Sequence, residues 1–244
     1  MRLPILAAAA TIMLSGPHPA QAQTSEQKTP EHRFYASIHA GQDVQDDESI
    51  RGFNAAGLPR NNDLTFTDGR TYAAALGVNA FEGDWGRVRF DAELSQREAD
   101  VETIKLNNVQ QTIRQGSHVL MTAAMLNGYY DTPVYWDHVR FYAGGGVGIA
   151  TVDHQVRYQI TGGAAPSLAQ IAIPTSEPAW AYQLVGGGEY ILSPNWSLLA
   201  DVRYVTFGSH QIERFNLTAG ALDSVNDVSD KSSVSLTAGL RFSF

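Results

Sequence analysis

The chain has 244 residues, a formal net charge of −8 at pH 7 and no cysteine. The acidity argues against nucleic acid as a partner, because phosphates are bound by basic surfaces. The absence of cysteine excludes disulfides, and a secreted chain of this size can build a core without them. Beyond the first 22 residues, no segment offers the roughly 20 consecutive apolar residues that a membrane-spanning helix needs.

Residues 1–22 have the features of a secretory signal peptide. Arg2 supplies a basic start, an apolar stretch follows from Leu3 to Leu14, and Ala20-Gln21-Ala22 forms a small-x-small cleavage site. We therefore exclude this leader from the fold and expect export from the cytoplasm. Residues 23–33 are polar and read as a short periplasmic lead-in.

From residue 34 onward, apolar and polar residues alternate, which predicts strands because strand side chains point to opposite faces with a period of two. The first predicted strand covers Phe34 to Gly41 and the second Arg70 to Phe81, with a long polar loop over 43–69 between them. The third follows a tight turn at 82–86. It shows the clearest alternation among the interior strands, since one face is apolar and the other carries four charged residues.

Five further strands follow in the same manner. The fourth lies at about 118–130 after a polar loop over 96–116, and we expect Leu126 outward so that Asn127 faces inward. The remaining strands are predicted near 139–149, 180–190, 196–205 and 234–244. Long loops are predicted at 153–178 and 206–232, while the intervening turns are short.

Eight strands joined alternately by long and short connections predict an all-β fold, an antiparallel up-and-down transmembrane barrel with short periplasmic turns and four long extracellular loops. Aromatic residues form two predicted girdles, which suits the two membrane–water interfaces. These residues are Tyr72, Trp180, Tyr182 and Tyr204 near the long loops, and Tyr190, Trp196 and Phe242 near the short turns. A soluble lipocalin-like barrel is the alternative, but it would place its polar face outward and its apolar face inward.

Nine charged residues fall on the inward faces of the predicted strands. They are Arg87, Arg89, Asp91, Glu93, Arg140, Glu189, Asp201, Arg203 and Arg241. An eight-stranded barrel is just wide enough for side chains to fill it, and unpaired buried charges are costly. We therefore expect a salt-bridged, largely closed lumen in which Arg241 pairs with Asp201 or Glu189. A narrow ion or small-solute path lined by the same groups is the alternative.

Several segments, taken in their order along the chain, resemble the opacity-type, OmpA-like outer-membrane β-barrel family. They are Phe34 to Gly41, 127–131, Gly144-Gly-Gly-Val-Gly148, 181–190 and the terminal Phe244. The resemblance covers residues 34–244 as one domain and implies a barrel in the Gram-negative outer membrane, surrounded by lipid and lipopolysaccharide. It also implies that the barrel-assembly machinery reads Phe244 as an assembly signal. Family members act as surface antigens, adhesins or envelope-stabilising proteins, and typically carry no catalytic site.

An enzyme acting on outer-membrane lipid is a further alternative. It would need a nucleophile with a histidine in reach, but Ser117-His118 and Ser209-His210 are strand neighbours that point to opposite faces. His154 and His210 are interpreted as solvated loop residues, and no metal-ligand spacing is present. The sequence predicts no catalytic residue, metal or cofactor.

Binding to a host surface or to other envelope proteins is expected in the long loops. The first loop carries acidic residues at Asp43, Asp46, Asp47 and Glu48. The third contains the apolar residues Leu168, Ile171 and Ile173, which either contact a partner or extend the hairpin above the membrane.

Overall fold

The computed structural model describes residues 32–54, 56–160, 167–172 and 178–244. The predicted leader and residues 23–31 lie outside these ranges. The described chain is all-β, as predicted, and contains no helix long and apolar enough to cross a membrane. Its strands are β1 (Phe34–Gln45), β2 (Glu48–Asn54), β3 (Asn62–Phe66), β4 (Gly69–Gly83), β5 (Gly86–Leu106), β6 (Val109–Gln110), β7 (Thr112–Ile113), β8 (His118–Asp131), β9 (Val139–Ile160), β10 (Ser167–Ala172), β11 (Ala179–Ile191), β12 (Trp196–Phe207), β13 (His210–Asn216), β14 (Ala221–Val228) and β15 (Lys231–Ser243).

Antiparallel pairing joins eight of these strands in a closed series, which we call the ring. The order is β1, β4, β5, β8, β9, β11, β12 and β15, and β15 pairs with β1 again. Each of these strands therefore has a hydrogen-bonded partner on both sides. Closure satisfies the backbone polar groups along the ring without leaving a free sheet edge.

The two faces of the ring differ sharply in exposure. Large apolar side chains on the outward face remain open, with Leu76, Leu94 and Leu126 between 64% and 69% exposed. The inward positions that alternate with them are buried. The predicted parity of the fourth strand is confirmed, because Leu126 faces outward and Asn127 is 3% exposed. An apolar band of this kind requires apolar surroundings.

The four segments predicted as long loops are in large part strands, so the loop prediction is wrong in the described residues. The segment 43–69 contains β2 and β3, and 206–232 contains β13 and β14. The segments 96–116 and 153–178 contain the ends of β5 and β9, which continue beyond the ring, together with β6, β7 and β10. We call the sheet formed by β2, β3, β6, β7, β10, β13, β14 and the distal ends of β5 and β9 the extension, and the end of the molecule that carries it the upper end.

The loop prediction failed because polar composition does not by itself indicate irregular structure. In the extension the polar residues occupy the outward faces of strands, while alternate positions bury Ile50, Leu64 and Ile104 completely. Strands β5 and β9 have 21 and 22 residues, about twice the number needed to cross a membrane. The additional length carries them into the extension.

An apolar core that the sequence analysis did not predict fills the extension and the adjoining upper part of the ring. Its buried members are Ile50, Leu64, Val101, Ile104, Val119, Met121, Ala123, Met125, Ala150, Val152, Val156, Tyr158, Ala169, Ala181, Val205, Phe207, Ile212 and Val228. The polar lumen therefore occupies only the lower part of the molecule. Burial of these apolar side chains stabilises the extension.

Candidate functional site

All nine charged residues predicted to face inward are buried, each at most 8% exposed. Strands β5, β9, β11, β12 and β15 place them in the lumen because each occupies an inward position of the alternating pattern. Seven of them lie in two groups of ion pairs, one near the short turns and one higher in the ring. Of the other two, Arg140 Nη2 lies 3.4 Å from Glu82 Oε1, and Asp91 accepts hydrogen bonds from Tyr35 at 2.9 Å and from Asn127 at 2.8 Å and lies 3.5 Å from Arg89 Nη1.

In the lower group, two carboxylates serve three arginines. Arg87 Nε donates to Asp131 Oδ2 at 2.7 Å, and Arg87 Nη2 donates to Glu189 Oε2 at 3.1 Å. Arg89 Nε donates to Asp131 Oδ1 at 3.0 Å. Arg241 Nη1 lies 3.1 Å from Glu189 Oε2, so Glu189 is one of the two partners expected for it.

In the upper group, Arg203 joins two carboxylates. Its Nη1 donates to Glu93 Oε2 at 2.5 Å and its Nε to Asp201 Oδ1 at 2.7 Å. Asp201 also accepts hydrogen bonds from Tyr142 at 2.8 Å and from Thr237 at 2.5 Å. Buried charges of this kind are tolerated because hydrogen bonds and opposite charges replace the lost water.

The Arg89 guanidinium connects the ion pairs to the aromatic residues of the lumen. It lies 3.8 Å from the ring centre of Tyr129, 5.0 Å from that of Tyr142 and 5.5 Å from that of Tyr35. Cation–π contacts in a desolvated setting contribute about 2 kcal/mol or more each. The lumen is thus filled by side chains that hold one another in place.

Sequence reasoning missed three charged members of the lumen. The sequence predicts Asp131 in a short turn and Arg97 and Asp43 in long loops, yet all three are at most 1% exposed. Arg97 Nε lies 3.6 Å from Asp43 Oδ1. Together they bring the set to six residues of each sign. The signal was available, because Arg97 keeps the parity of Arg87 to Glu93 along β5.

The glycine-rich stretch of β9 makes room for lumen side chains of β8. Gly144 lies opposite Tyr129 in the pairing of the two strands. A Cβ atom on Gly144 would overlap both the Tyr129 ring and the carbonyl oxygen of Gly128. The absence of a side chain at this position therefore allows Tyr129 to fold across the strand and meet Arg89.

We expect the Gly144→Ala variant to lose about 1–3 kcal/mol of unfolding free energy, because overpacking against a fixed backbone atom forces a shift. Gly186→Ala is the matched control, since Gly186 has nothing within 4 Å of its Cβ position. Urea unfolding in lipid vesicles measures both. Equal midpoints for the two variants would contradict the packing role of Gly144.

Ser37, His39 and Asp201 form a chain that the sequence analysis did not find. Ser37 Oγ lies 3.3 Å from His39 Nε2, and His39 Nδ1 lies 3.4 Å from Asp201 Oδ2. This is the order of a hydrolase triad. The three residues are at most 8% exposed, and β1 pairs on both sides here, so its backbone N–H groups belong to the sheet rather than to an oxyanion site.

A second buried charge cluster lies in the extension. Glu48 accepts hydrogen bonds from Lys231 Nζ at 3.0 Å and bonds His154 Nε2 at 2.6 Å, with all three residues at most 3% exposed. Lys231 Nζ also lies 3.8 Å from the Phe66 ring centre. Burial alone would raise the pKa of Glu48, but His154 and Lys231 outweigh it and hold that pKa far below its usual range.

This cluster corrects two predictions about the loops. His154 is 1% exposed and hydrogen-bonded to Glu48, so its interpretation as a solvated loop residue is wrong. Asp43 and Glu48 are likewise buried rather than displayed on an acidic loop surface. The pairing brings together residues more than 100 positions apart, which explains why periodicity did not reveal it.

The remaining predicted residues lie as follows. The seven girdle residues are exposed on the outward face, from 36% for Phe242 to 65% for Trp180. Phe244 is 56% exposed and stacks on Phe34 and Phe242. Leu168 lies in β10, which extends the β9 hairpin, whereas Ile173 is outside the described residues. In the described ranges, no three His, Cys, Asp or Glu residues are grouped to hold a metal ion.

Comparison with known proteins gives a family and a set of structural neighbours. The sequence profile of the outer membrane protein beta-barrel domain matches residues 6–242. No curated protein matches the sequence. The outer membrane protein OprG from Pseudomonas aeruginosa is similar in structure, with a TM-score of 0.54, 14% identity, and coverage of 86% of this chain and 97% of that one.

Two other solved structures also align with the chain. Neisserial surface protein A is 16% identical with a TM-score of 0.47, covering 86% of this chain and 97% of that one. The outer membrane protease OmpT from Escherichia coli is 7% identical with a TM-score of 0.48, covering 88% and 98%. At 14% identity, the likeness to OprG concerns the fold and not a shared role. The profile match spans nearly the whole chain, and this protein therefore belongs to the outer membrane β-barrel family.

Proposed function

We propose that the ring is an eight-stranded transmembrane barrel, with the short-turn end in the periplasm and the extension outside the cell. The outward apolar band supports this placement, since Leu76, Leu126 and Leu236 are 65–69% exposed around the circumference. The polarity of the extension also fits, because its strands turn polar residues outward and apolar residues inward.

We infer that the protein serves as a structural and surface-exposed element of the envelope, in the manner of a surface antigen or adhesin. The observation that carries this proposal is the filled interior. Ion pairs occupy the lower lumen, and an apolar core lies across its upper end. A small-solute channel would need a continuous hydrated path, and an enzyme would need a substrate to reach the buried Ser37 and His39.

The proposed partners follow from the same placement. Outer-membrane lipid and lipopolysaccharide would surround the aromatic girdles, which include Trp180 and Tyr204. The barrel-assembly machinery would read Phe244 after export by the cleaved leader. A host surface or another envelope protein would contact the extension, which stands above the girdles.

Planar-bilayer recording of the purified protein tests the closed interior. We expect negligible conductance, because in the part of the chain that the structure describes ion pairs occupy the lower lumen and an apolar core lies across its upper end. A porin reconstituted in the same bilayers is the positive control, and heat-dependent gel mobility checks that the protein is folded. Large, steady single-channel steps from folded protein would overturn the proposal.

A further inference from the structure

Two arginines meet one carboxylate at the upper rim of the extension. Arg60 lies in the connection between β2 and β3, Arg214 lies near the end of β13, and Asp223 lies near the start of β14. Arg60 Nε donates to Asp223 Oδ2 at 3.3 Å, and Arg214 Nη2 donates to the same oxygen. All three residues are close to hairpin ends, which places the group at the end of the molecule farthest from the ring.

Hydrogen-bond donors at this rim outnumber their acceptors. Arg214 is 2% exposed and its Nη1 donates to Tyr158 Oη at 3.3 Å, but its Nε has no acceptor among the described residues. Asn62 is fully buried beside the same tyrosine, 3.5 Å from its hydroxyl, and within the same part of the chain its Nδ2 has no acceptor either. A buried donor without an acceptor costs free energy, and a ligand oxygen that accepts from it would recover that cost.

The net charge of the group also favours an anionic ligand. One carboxylate is shared by two guanidinium groups, so Arg60, Arg214 and Asp223 together carry one net positive charge on a chain that is otherwise acidic. Guanidinium groups bind oxyanions through paired, charge-assisted hydrogen bonds. Burial raises the pKa of Tyr158, so its hydroxyl stays neutral beside them.

We propose that this rim is a binding site for an oxyanion group, a phosphate, sulfate or carboxylate, of a ligand outside the cell. Arg60 and Asp223 form its open side, since their side chains are 26% and 20% exposed. Asp223 occupies part of the site as a competing internal anion. The inference rests on the proposed function only in placing the extension outside the membrane.

The test uses purified full-length protein in detergent micelles, titrated with inorganic phosphate, sulfate and acetate in separate arms. The readout is the NMR signal of the Arg214 Nε–Hε pair, assigned by its loss in Arg214→Lys. We expect a saturable shift on addition of an oxyanion, and the arm with the highest affinity distinguishes a phosphate, sulfate or carboxylate source. No shift in any arm would overturn the proposal.

Calorimetric titration of three variants with the anion that binds best tests which residues form the site. Arg60→Gln is expected to weaken binding about tenfold or more, because one charge-assisted hydrogen bond is lost. Asp223→Asn is expected to strengthen binding, because the competing carboxylate is removed, whereas a purely structural salt bridge predicts no gain. Arg51→Gln is the matched control, since Arg51 is half exposed and pairs with Asp63 on the outer side.

Equal loss of binding in Arg51→Gln and Arg60→Gln would overturn the site, since it would show non-specific attraction. Heat-dependent gel mobility establishes that each variant is folded. Protease treatment of intact cells separately tests whether the extension lies outside. Binding by purified protein with a protected extension would therefore refute the proposed placement and leave the oxyanion site standing.

Discussion

Replacing Arg203 by methionine is expected to lower the free energy of unfolding by about 3–5 kcal/mol, the usual cost of removing one partner from a buried ion pair. Arg203 is 2% exposed and holds Glu93 at 2.5 Å and Asp201 at 2.7 Å. Methionine matches its length but cannot donate a hydrogen bond. Glu93 would remain as a charge in the lumen with its strongest partner gone.

Urea unfolding in lipid vesicles, followed by tryptophan fluorescence, measures the effect. The double variant Arg203→Met, Glu93→Gln should recover part of the loss, because one of the stranded charges is removed with its partner. Arg51→Met is the matched control and should change stability by no more than about 1 kcal/mol, since its pair with Asp63 is exposed. If Arg203→Met is as stable as Arg51→Met, the ion pairs do not hold the lumen together.

The sequence predicted the ring far better than the extension, and β5 shows why. In its lower part, Phe90 and Leu94 face outward at 48% and 64% exposure, while Arg89 and Glu93 face inward. This strict alternation of apolar and charged residues can be recognised in the sequence of the strand itself, without knowledge of the neighbouring strands. It also fixes the inward face of Arg97, which lies beyond the predicted end of the third strand but within β5.

Above Arg97 the same strand reverses its polarity. Glu98 and Asp100 face outward, whereas Ala99 and Val101 are buried inside. The reversal is expected where a strand leaves lipid for water, because the outward face must then be polar. In sequence, a strand with a polar outward face resembles a loop unless its inward-facing residues are also recognised. The extension was therefore not predicted. The lipocalin-like polarity rejected for the whole chain describes this upper part.

Ion-pair partners could be predicted only where the pattern fixed both faces. Glu189 is one of the two partners that the sequence predicts for Arg241, because both residues fall on inward faces of predicted strands. The bonds that join Glu48 to His154 and Lys231 span 106 and 183 positions of sequence. Those contacts depend on the antiparallel pairing that links β9 through β10, β13, β14, β2 and β3 to β5, which no local pattern in the chain predicts. The grouping of Arg60, Asp223 and Arg214 at the rim could not be predicted from the sequence for the same reason.

Replacing Glu48 by glutamine is expected to loosen the extension while leaving the ring intact. The variant leaves the buried Lys231 without the Glu48 carboxylate. We therefore expect the free energy of opening of the extension to fall by about 3–5 kcal/mol. Hydrogen exchange of the β2 and β14 amides in lipid nanodiscs measures it. Glu98→Gln, at an exposed outward position of β5, is the control and should leave exchange unchanged.

The pH dependence gives this prediction its sharpest form. A carboxyl group whose pKa is depressed by folding contributes stability above its unfolded pKa and loses it as pH falls toward the folded value. The pKa of Glu48 is held well below the usual 4.5, so protection of the extension should persist from neutral pH to about 4.5 and decline only below it. In Glu48→Gln this contribution is missing at every pH, and its difference from the native protein should shrink under acid. A difference that stays constant below pH 4.5 would show that the Glu48 carboxylate does not hold the extension closed.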